Sequence, residues 1–163
     1  MWQAIQSKVQ TWAEISKTVT QWKQENAKIV FTNGCFDILH YGHVHYLAAA
    51  RKLGDKLVIG LNSAASVKRL KGKNRPINDE ATRLHLLASL QCVDAVVVFE
   101  ADTPLELIKH LCPDVLVKGG DWKIENIVGS KFVQAHGGTT QTLPFVTGYS
   151  TTNIEQKILK SQS

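Results

Sequence analysis

Apolar and polar positions fall along this chain in blocks of two kinds. Short, nearly unbroken apolar runs, "KIVFTN" (28–33), "KLVIGLN" (56–62), "DAVVVF" (94–99), "PDVLVKGG" (113–120) and "TTQTLPF" (139–145), have strand length. Consecutive rather than alternating apolar residues are what a sheet covered on both faces requires. Between them lie segments with apolar residues at three- and four-residue steps, the helical period. Trp12, Ile15, Val19 and Trp22 mark an amphipathic helix over 8–26. "GHVHYLAAARKLG" (42–54) predicts a helix stopped by Gly54. A helix over 79–91 has Asp79 as its cap, and one over 103–112 opens with Thr103 as cap and Pro104 in the first turn. Residues 124–138 read as mostly helix, and 150–160 close the chain as a helix behind hydroxyl residues. Residues 63–79, polar and basic, read as a long loop around a short helical piece.

Strand followed by helix, repeated along the chain, predicts an α/β fold: a Rossmann-like, doubly wound, five-stranded parallel sheet. Right-handed crossovers leave few topologies, and strand order 3-2-1-4-5 is favoured. The chain then reverses direction between strands 1 and 4, and a ligand belongs at that switch point. The two most unusual loops, "GCFDILHYGH" and "KGGDW", follow those two strands. The expected organisation is an N-terminal amphipathic helix (1–27) packed on a domain over 28–163.

With 163 residues, 44% hydrophobic and 20% charged, the chain has the size and composition of one ordinary globular domain. No apolar run approaches the roughly eighteen residues of a membrane span, and the first residues lack a signal-peptide pattern. Cys35, Cys92 and Cys112 form no CxxC pair, a sparse set that fits a reducing cytoplasm, the expected location. A net charge of +5 permits an anionic partner, which a small phosphorylated substrate satisfies as well as a nucleic acid. Aromatics interleaved on a basic stripe are missing. Neither a nucleic-acid nor a membrane partner is expected.

Three histidines, His40, His43 and His45, fall within six positions. Gly42 lies between the first two at a predicted helix start, where amides and the helix dipole favour an anion and a missing Cβ lets backbone approach a ligand. Two imidazoles at this spacing can donate to phosphate oxygens, more strongly as charge builds up in a transition state. A zinc site from all three is disfavoured. No acidic or cysteine ligand has helpful spacing, and His45 falls on a different helix face from His43.

"TNGCFDILHYGH" resembles the HxGH signature of the cytidylyltransferase-like nucleotidyltransferase superfamily. Together with "NSAASVKRLKGKNRPIN", "VDAVVVFEADTP", "LVKGGDW" and "GYSTTNI", it is similar, in order, to the adenylyltransferase family of bacterial ADP-heptose synthesis. HxGH alone is shared with class I aminoacyl-tRNA synthetases, for which this chain is too short. The five segments together are highly specific. The resemblance implies transfer of AMP from ATP to D-glycero-β-D-manno-heptose 1-phosphate, giving ADP-heptose and pyrophosphate for lipopolysaccharide synthesis. It implies Mg2+ brought with ATP, and a homo-oligomer with a dimer favoured. Because only 27 residues precede the first strand, it also implies a stand-alone form with a separate sugar kinase upstream.

By the same resemblance, His40 and His43 act on the triphosphate and transition state, and Lys71 is the catalytic lysine. Lys68 and Arg75 are candidates for the acceptor. Cys35, Phe36 and Gly42 lie along the nucleotide, and Arg83 reaches its phosphates. Gly119 and Gly120 approach base or ribose, and Asp121 accepts from ribose hydroxyls. Ser150, Thr151 and Thr152 either cap the last helix or face phosphates. Asn33 fixes the turn or meets the ligand, and Asp37 is either a turn carboxylate or a holder of metal-bound water. Magnesium is expected on phosphate oxygens and water. Related glycerol-phosphate cytidylyltransferases carry Arg-Thr-Glu-Gly-Ile-Ser-Thr-Thr where this chain has "FVTGYSTT". Phe145 in place of that arginine leans the choice toward ATP. The alternatives are the same fold acting on glycerol 3-phosphate or another sugar phosphate and, in another class, a non-catalytic nucleotide- or RNA-binding protein.

Overall fold

The architecture, a computed structural model, describes residues 1–161; Gln162 and Ser163, the end of the expected 28–163 domain, lie outside the described residues. The elements are α1 (Trp2–Gln6), β1 (Val9–Gln10), α2 (Trp12–Gln24), β2 (Ile29–Gly34), α3 (Tyr41–Arg51), β3 (Lys56–Asn62), α4 (Ala64–Lys71) and α5 (Glu80–Ser89). They continue with β4 (Ala95–Phe99), α6 (Leu105–Leu111), β5 (Val115–Gly119), a 3₁₀ turn (Ile124–Asn126), α7 (Ser130–Ala135), β6 (Thr139–Leu143) and α8 (Thr151–Lys160).

All strand pairs are parallel, and the sheet has six strands in the order β1-β4-β3-β2-β5-β6. This corrects the expected count of five to six: the five expected strands keep their order 3-2-1-4-5, here β4-β3-β2-β5-β6, and β1 is added at the edge beside β4. The added strand comes from the segment read as one helix over 8–26. Val9 and Gln10 pair with Val96 and Val97 at the sheet edge, and Thr11 starts a new helix behind them. Its side chain accepts from the Glu14 amide while the Glu14 carboxylate accepts from the Thr11 amide, a reciprocal cap. Two residues are too few to show an apolar run, so only the edge of an existing sheet makes this a strand. Thr103 is not the cap of α6; Pro104 takes that position without a side-chain hydrogen bond.

Side chains alternate across each strand and fill two cores. Ile29 and Phe31 of β2, Val58, Val97 and Leu116 pack against Ile15 and Val19 of α2 and Leu107, Ile108 and Leu111 of α6. Val30, Leu57, Ile59, Val96 and Val117 face Tyr46, Leu47 and Ala50 of α3 and Leu87 and Ala88 of α5. The chain runs from β2 outward through β3 to β4, then crosses back to β5 on the other flank of β2. The loops after β2 and β5 therefore part at the carboxyl end of the sheet and leave a crevice there.

At the opposite end, three aspartates close the strand beginnings. Asp55 accepts from the Lys28 amide at 2.8 Å, Asp114 from Ile29 at 2.7 Å and Asp94 from Leu57 at 2.8 Å. Asp94 also receives Arg51 Nε at 2.9 Å. Asp94→Ala is expected to lower stability by about 1.5–3 kcal/mol, the scale for a hydrogen bond to a charged group. Turnover should stay unchanged, because the crevice lies at the other end of the strands. Urea midpoints and a rate assay on the same preparation check both halves.

Candidate active site

The site begins where β2 ends. The chain turns at Phe36, whose φ of 43° is left-handed, and the Phe36 ring folds back over Gly34, leaving no room there for a Cβ, which would lie 2.9 Å from the ring. Two groups clamp this turn from below. Arg83 of α5, fully buried, donates from Nη1 to the carbonyls of Cys35 at 2.9 Å and Asn62 at 2.8 Å. Asp37, also buried, accepts from the amides of Ile77 at 2.8 Å and Asn78 at 2.9 Å, and its Oδ2 lies 3.2 Å from Arg75 Nε. Arg75 in turn pairs with Glu155 of α8. One carboxylate and one guanidinium thus join the β2 turn, the basic loop and the last helix.

His40 is the N-cap of α3 in extended backbone, and its side chain does no capping. That leaves the imidazole free to stack on His43, with ring centroids 3.8 Å apart and planes 25° from parallel. The Phe36 ring meets His43 edge-on at 5.3 Å. Gly42 sits beneath the pair. A Cβ there would lie 3.1 Å from the His40 ring and 3.2 Å from Tyr149 Cβ, so the helix start and the 145–150 segment close on each other only over glycine. Burial pushes the His40 imidazole below its ordinary value. Burial, then the neighbouring His40 and Lys71, push His43 down to about 4. Among the described residues the Nδ1 atoms of both rings are buried without a hydrogen-bond partner. Near neutral pH His43 is therefore an uncharged ring with unused hydrogen-bonding capacity.

These groups wall a cavity of about 610 Å³. His40, His43, Cys35, Phe36, Gly42, Lys71 and Gly119 line it together with Ser150, Thr151 and Thr152 from the start of α8. Asn33 lines it as well. Ser150 caps α8, its Oγ accepting from the Asn153 amide at 3.1 Å, so the capping and cavity-facing readings of this run hold together. Phe145, 67% exposed, lies across Gly119 and Gly120; a Cβ on either would fall 2.7 or 2.8 Å from its ring. Burial raises the Cys35 thiol, which keeps it protonated at neutral pH.

Other expected site residues stand apart from this wall. Arg83 lies under the turn, holding backbone rather than facing the cavity. Gly120 is behind Phe145, and Asp121 is exposed and outside the cavity lining. Lys68 is exposed on α4, outside the lining, and Arg75 is committed to Asp37 and Glu155. Asp37 does line the cavity, but its carboxylate is occupied by amides and Arg75. His45 is exposed. Among the described residues no group of three or more His, Cys, Asp or Glu is placed to hold a metal.

Sequence reasoning missed Tyr46, Tyr149 and Lys118, all of which line the cavity. The Tyr46 hydroxyl lies 2.6 Å from Thr32 Oγ1 and donates to the Val117 carbonyl at 3.3 Å, and burial pushes its phenol up to about 12. It therefore ties α3 across β2 to β5. Tyr46 could have been found three residues after His43 on the same helix face. Lys118 could have been found as the one charge inside an otherwise apolar strand.

A stacked histidine pair at a helix start, at the switch point of a parallel sheet, facing the hydroxyl-rich start of a second helix, is built to handle a polyphosphate. The cytidylyltransferase-like family model matches residues 31–157. The chain belongs to this family and is an enzyme of the nucleotidyltransferase class. It is 53% identical over 154 residues to the bifunctional protein HldE of Trichlorobacter lovleyi, covering 94% of this chain and 31% of that protein. The HldE of Geobacter metallireducens is 58% identical over 139 residues, 85% of this chain and 28% of that protein. The chain thus spans about a third of the length of these curated relatives. Among solved structures, the lipopolysaccharide core biosynthesis protein of Thermoplasma volcanium is 34% identical with a TM-score of 0.60, covering 76% of this chain and 99% of that one. Pantothenate synthetase of Thermus thermophilus, at 13% identity and a TM-score of 0.59 over 85% of this chain and 62% of its own, shares the fold. No helix among the described residues is long and apolar enough to cross a membrane.

The depressed His43 makes the fold acid-sensitive. The unfolded imidazole takes up a proton near pH 6.5, whereas the folded one resists until about 4. Stability linked to His43 is therefore full above pH 6.5 and lost as pH falls from there through 4. The stability difference between wild type and His43→Gln is expected to shrink or reverse between pH 7 and pH 4.5. Urea midpoints at the two values check it, and parallel pH dependence would count against the neutral pair.

Proposed function

We propose that this chain transfers AMP from ATP to D-glycero-β-D-manno-heptose 1-phosphate, releasing pyrophosphate. The observation that carries the reading is the single cavity in which the stacked His40–His43 pair, Lys71 and the start of α8 converge. The choice of acceptor is supported by the five sequence segments that resemble the ADP-heptose adenylyltransferases and by the likeness to a lipopolysaccharide core biosynthesis protein. Phe145, exposed over Gly119 and Gly120 at the end of β5, offers an apolar ring suited to a purine.

An oxygen of the sugar phosphate attacks the α-phosphorus of ATP. The new P–O bond forms as the bond to the α,β-bridging oxygen breaks, and pyrophosphate leaves with that electron pair. The nucleophile is already ionised near neutral pH, so no general base is needed and the catalytic demand is positioning and charge stabilisation. His40 and His43 meet it as hydrogen-bond donors, Lys71 as a cation, and the start of α8 through its amides and hydroxyls. The protonated Cys35 thiol supports transfer without a covalent intermediate. Asp37, the one carboxylate in the cavity lining among the described residues, is spent on backbone amides and Arg75, so magnesium brought with ATP would be held by phosphate oxygens and water and would supply charge neutralisation.

The deciding experiment incubates purified protein with the heptose phosphate, Mg2+ and either ATP or CTP. ADP-heptose from ATP, with little product from CTP, is expected; efficient turnover of CTP or of glycerol 3-phosphate instead would displace this reading. In the active assay His43→Ala should lower turnover by about two to three orders of magnitude, the scale for one lost transition-state donor. ATP affinity should change far less, because the interaction strengthens with transition-state charge. Near-normal turnover in that variant would remove His43 from the mechanism.

A further inference from the structure

A second cavity, of about 500 Å³, opens beside the first across the strip Asn33–Cys35. The two share that strip and two cations, Lys71 and Lys118. Otherwise their walls differ in kind. Neither histidine and no residue of α8 lines the second cavity. It is bordered instead by Asp102, whose Oδ1 receives Arg69 Nε at 2.8 Å and whose second oxygen has no such bond among the described residues, by Asn126, and by Trp122, 52% exposed. An open indole face flanked by a carboxylate and an amide suits a sugar, with apolar ring surface on the aromatic and hydroxyls on the polar groups.

Lys118 stands on the boundary. It comes from β5, is half-buried, and lies with its Nζ 6.0 Å from the centroid of the Trp122 ring. No carboxylate pairs with it among the described residues. Burial depresses its ammonium, the mark of a cation lacking the anion that would compensate its lost hydration. Lys68 and Arg75, the residues that sequence reasoning offered to the acceptor, line neither cavity.

From this arrangement we infer that the second cavity takes the sugar phosphate acceptor, and that Lys118 grips the acceptor's phosphate where the two cavities meet. The identity of the acceptor rests on the adenylyl-transfer reading above. In-line displacement needs nucleophile and leaving group on opposite sides of the α-phosphorus. With pyrophosphate directed to the histidines and α8, the nucleophile arrives from the other side, which is the side the second cavity opens on. Lys118 then binds one substrate while Lys71, nearer the histidines, serves both.

The test compares wild type with Lys118→Met, Lys118→Arg and Trp122→Ala. Lys118→Met should raise KM for the heptose phosphate about ten- to a hundredfold, the scale for a lost charged hydrogen bond, with KM for ATP within about threefold. Lys118→Arg should recover most of the loss. Trp122→Ala, a change at an exposed side chain, should raise the acceptor KM alone and carries the comparison if Lys118→Met does not fold. An unchanged acceptor KM, or an equal rise for ATP, would overturn the assignment. If wild type makes no nucleotide sugar, the adenylyl-transfer reading fails by itself. Calorimetric titration of the heptose phosphate and of inorganic phosphate then decides the site separately: weaker binding by Lys118→Met supports it, and equal binding refutes it.

Discussion

The site depends on one buried carboxylate. Asp37 follows a turn that must double back sharply at Phe36, and nothing in the turn itself would keep the following residues in place. By accepting two amides from Ile77 and Asn78 and a guanidinium from Arg75, it fastens the β2 loop to the segment leading into α5. A carboxylate this buried is tolerable only when its lone pairs are filled. The residues that fill them bring the basic loop to the cavity and, through Arg75 and Glu155, hold α8 opposite the histidines. Arg83 performs the matching task from the other side by holding the Cys35 carbonyl. The two charged groups with the most buried positions in this region are therefore structural, and their work is to place neutral ones.

The electrostatics of the cavity follow from that division. Burial makes charging of either ring unfavourable, and for His43 the neighbouring His40 and Lys71 add to it. In the proposed reaction a neutral pair would suit groups that donate to phosphate oxygens without holding pyrophosphate so tightly that it cannot leave. The cations of the site are the two lysines, Lys71 and Lys118, which line both cavities. In the proposed reaction an arriving polyphosphate would bring negative charge to these cations.

Tyr46 and Phe145 show how the scaffold itself sets the cavity. The Tyr46 hydroxyl bridges Thr32 on β2 to the Val117 carbonyl on β5 across the point where the sheet changes direction. Phe145 lies on two glycines at the end of β5. Both fix distances between loops that parallel pairing alone leaves open, because pairing ends before the loops begin.

The α/β class, the helices on both faces, the position of the cavity at a switch point and the histidine pair at a helix start were all legible in the sequence. Each is carried by local signals: apolar runs, period, glycine placement and motif spacing. The six-stranded order was not, because Val9–Gln10 is a strand only by virtue of the edge it pairs with. Nor was the sorting of charged residues. In the sequence Arg75, Arg83 and Asp37 are all plausible ligand groups, and Lys118 passes unmarked. Which of them face ligand is decided by burial and by competition among partners far apart in the chain: Asp37 with Ile77, Arg83 with Asn62, Arg75 with Glu155. Lys118 lines both cavities and pairs with no acid among the described residues, and that is a property of the packed tertiary structure alone.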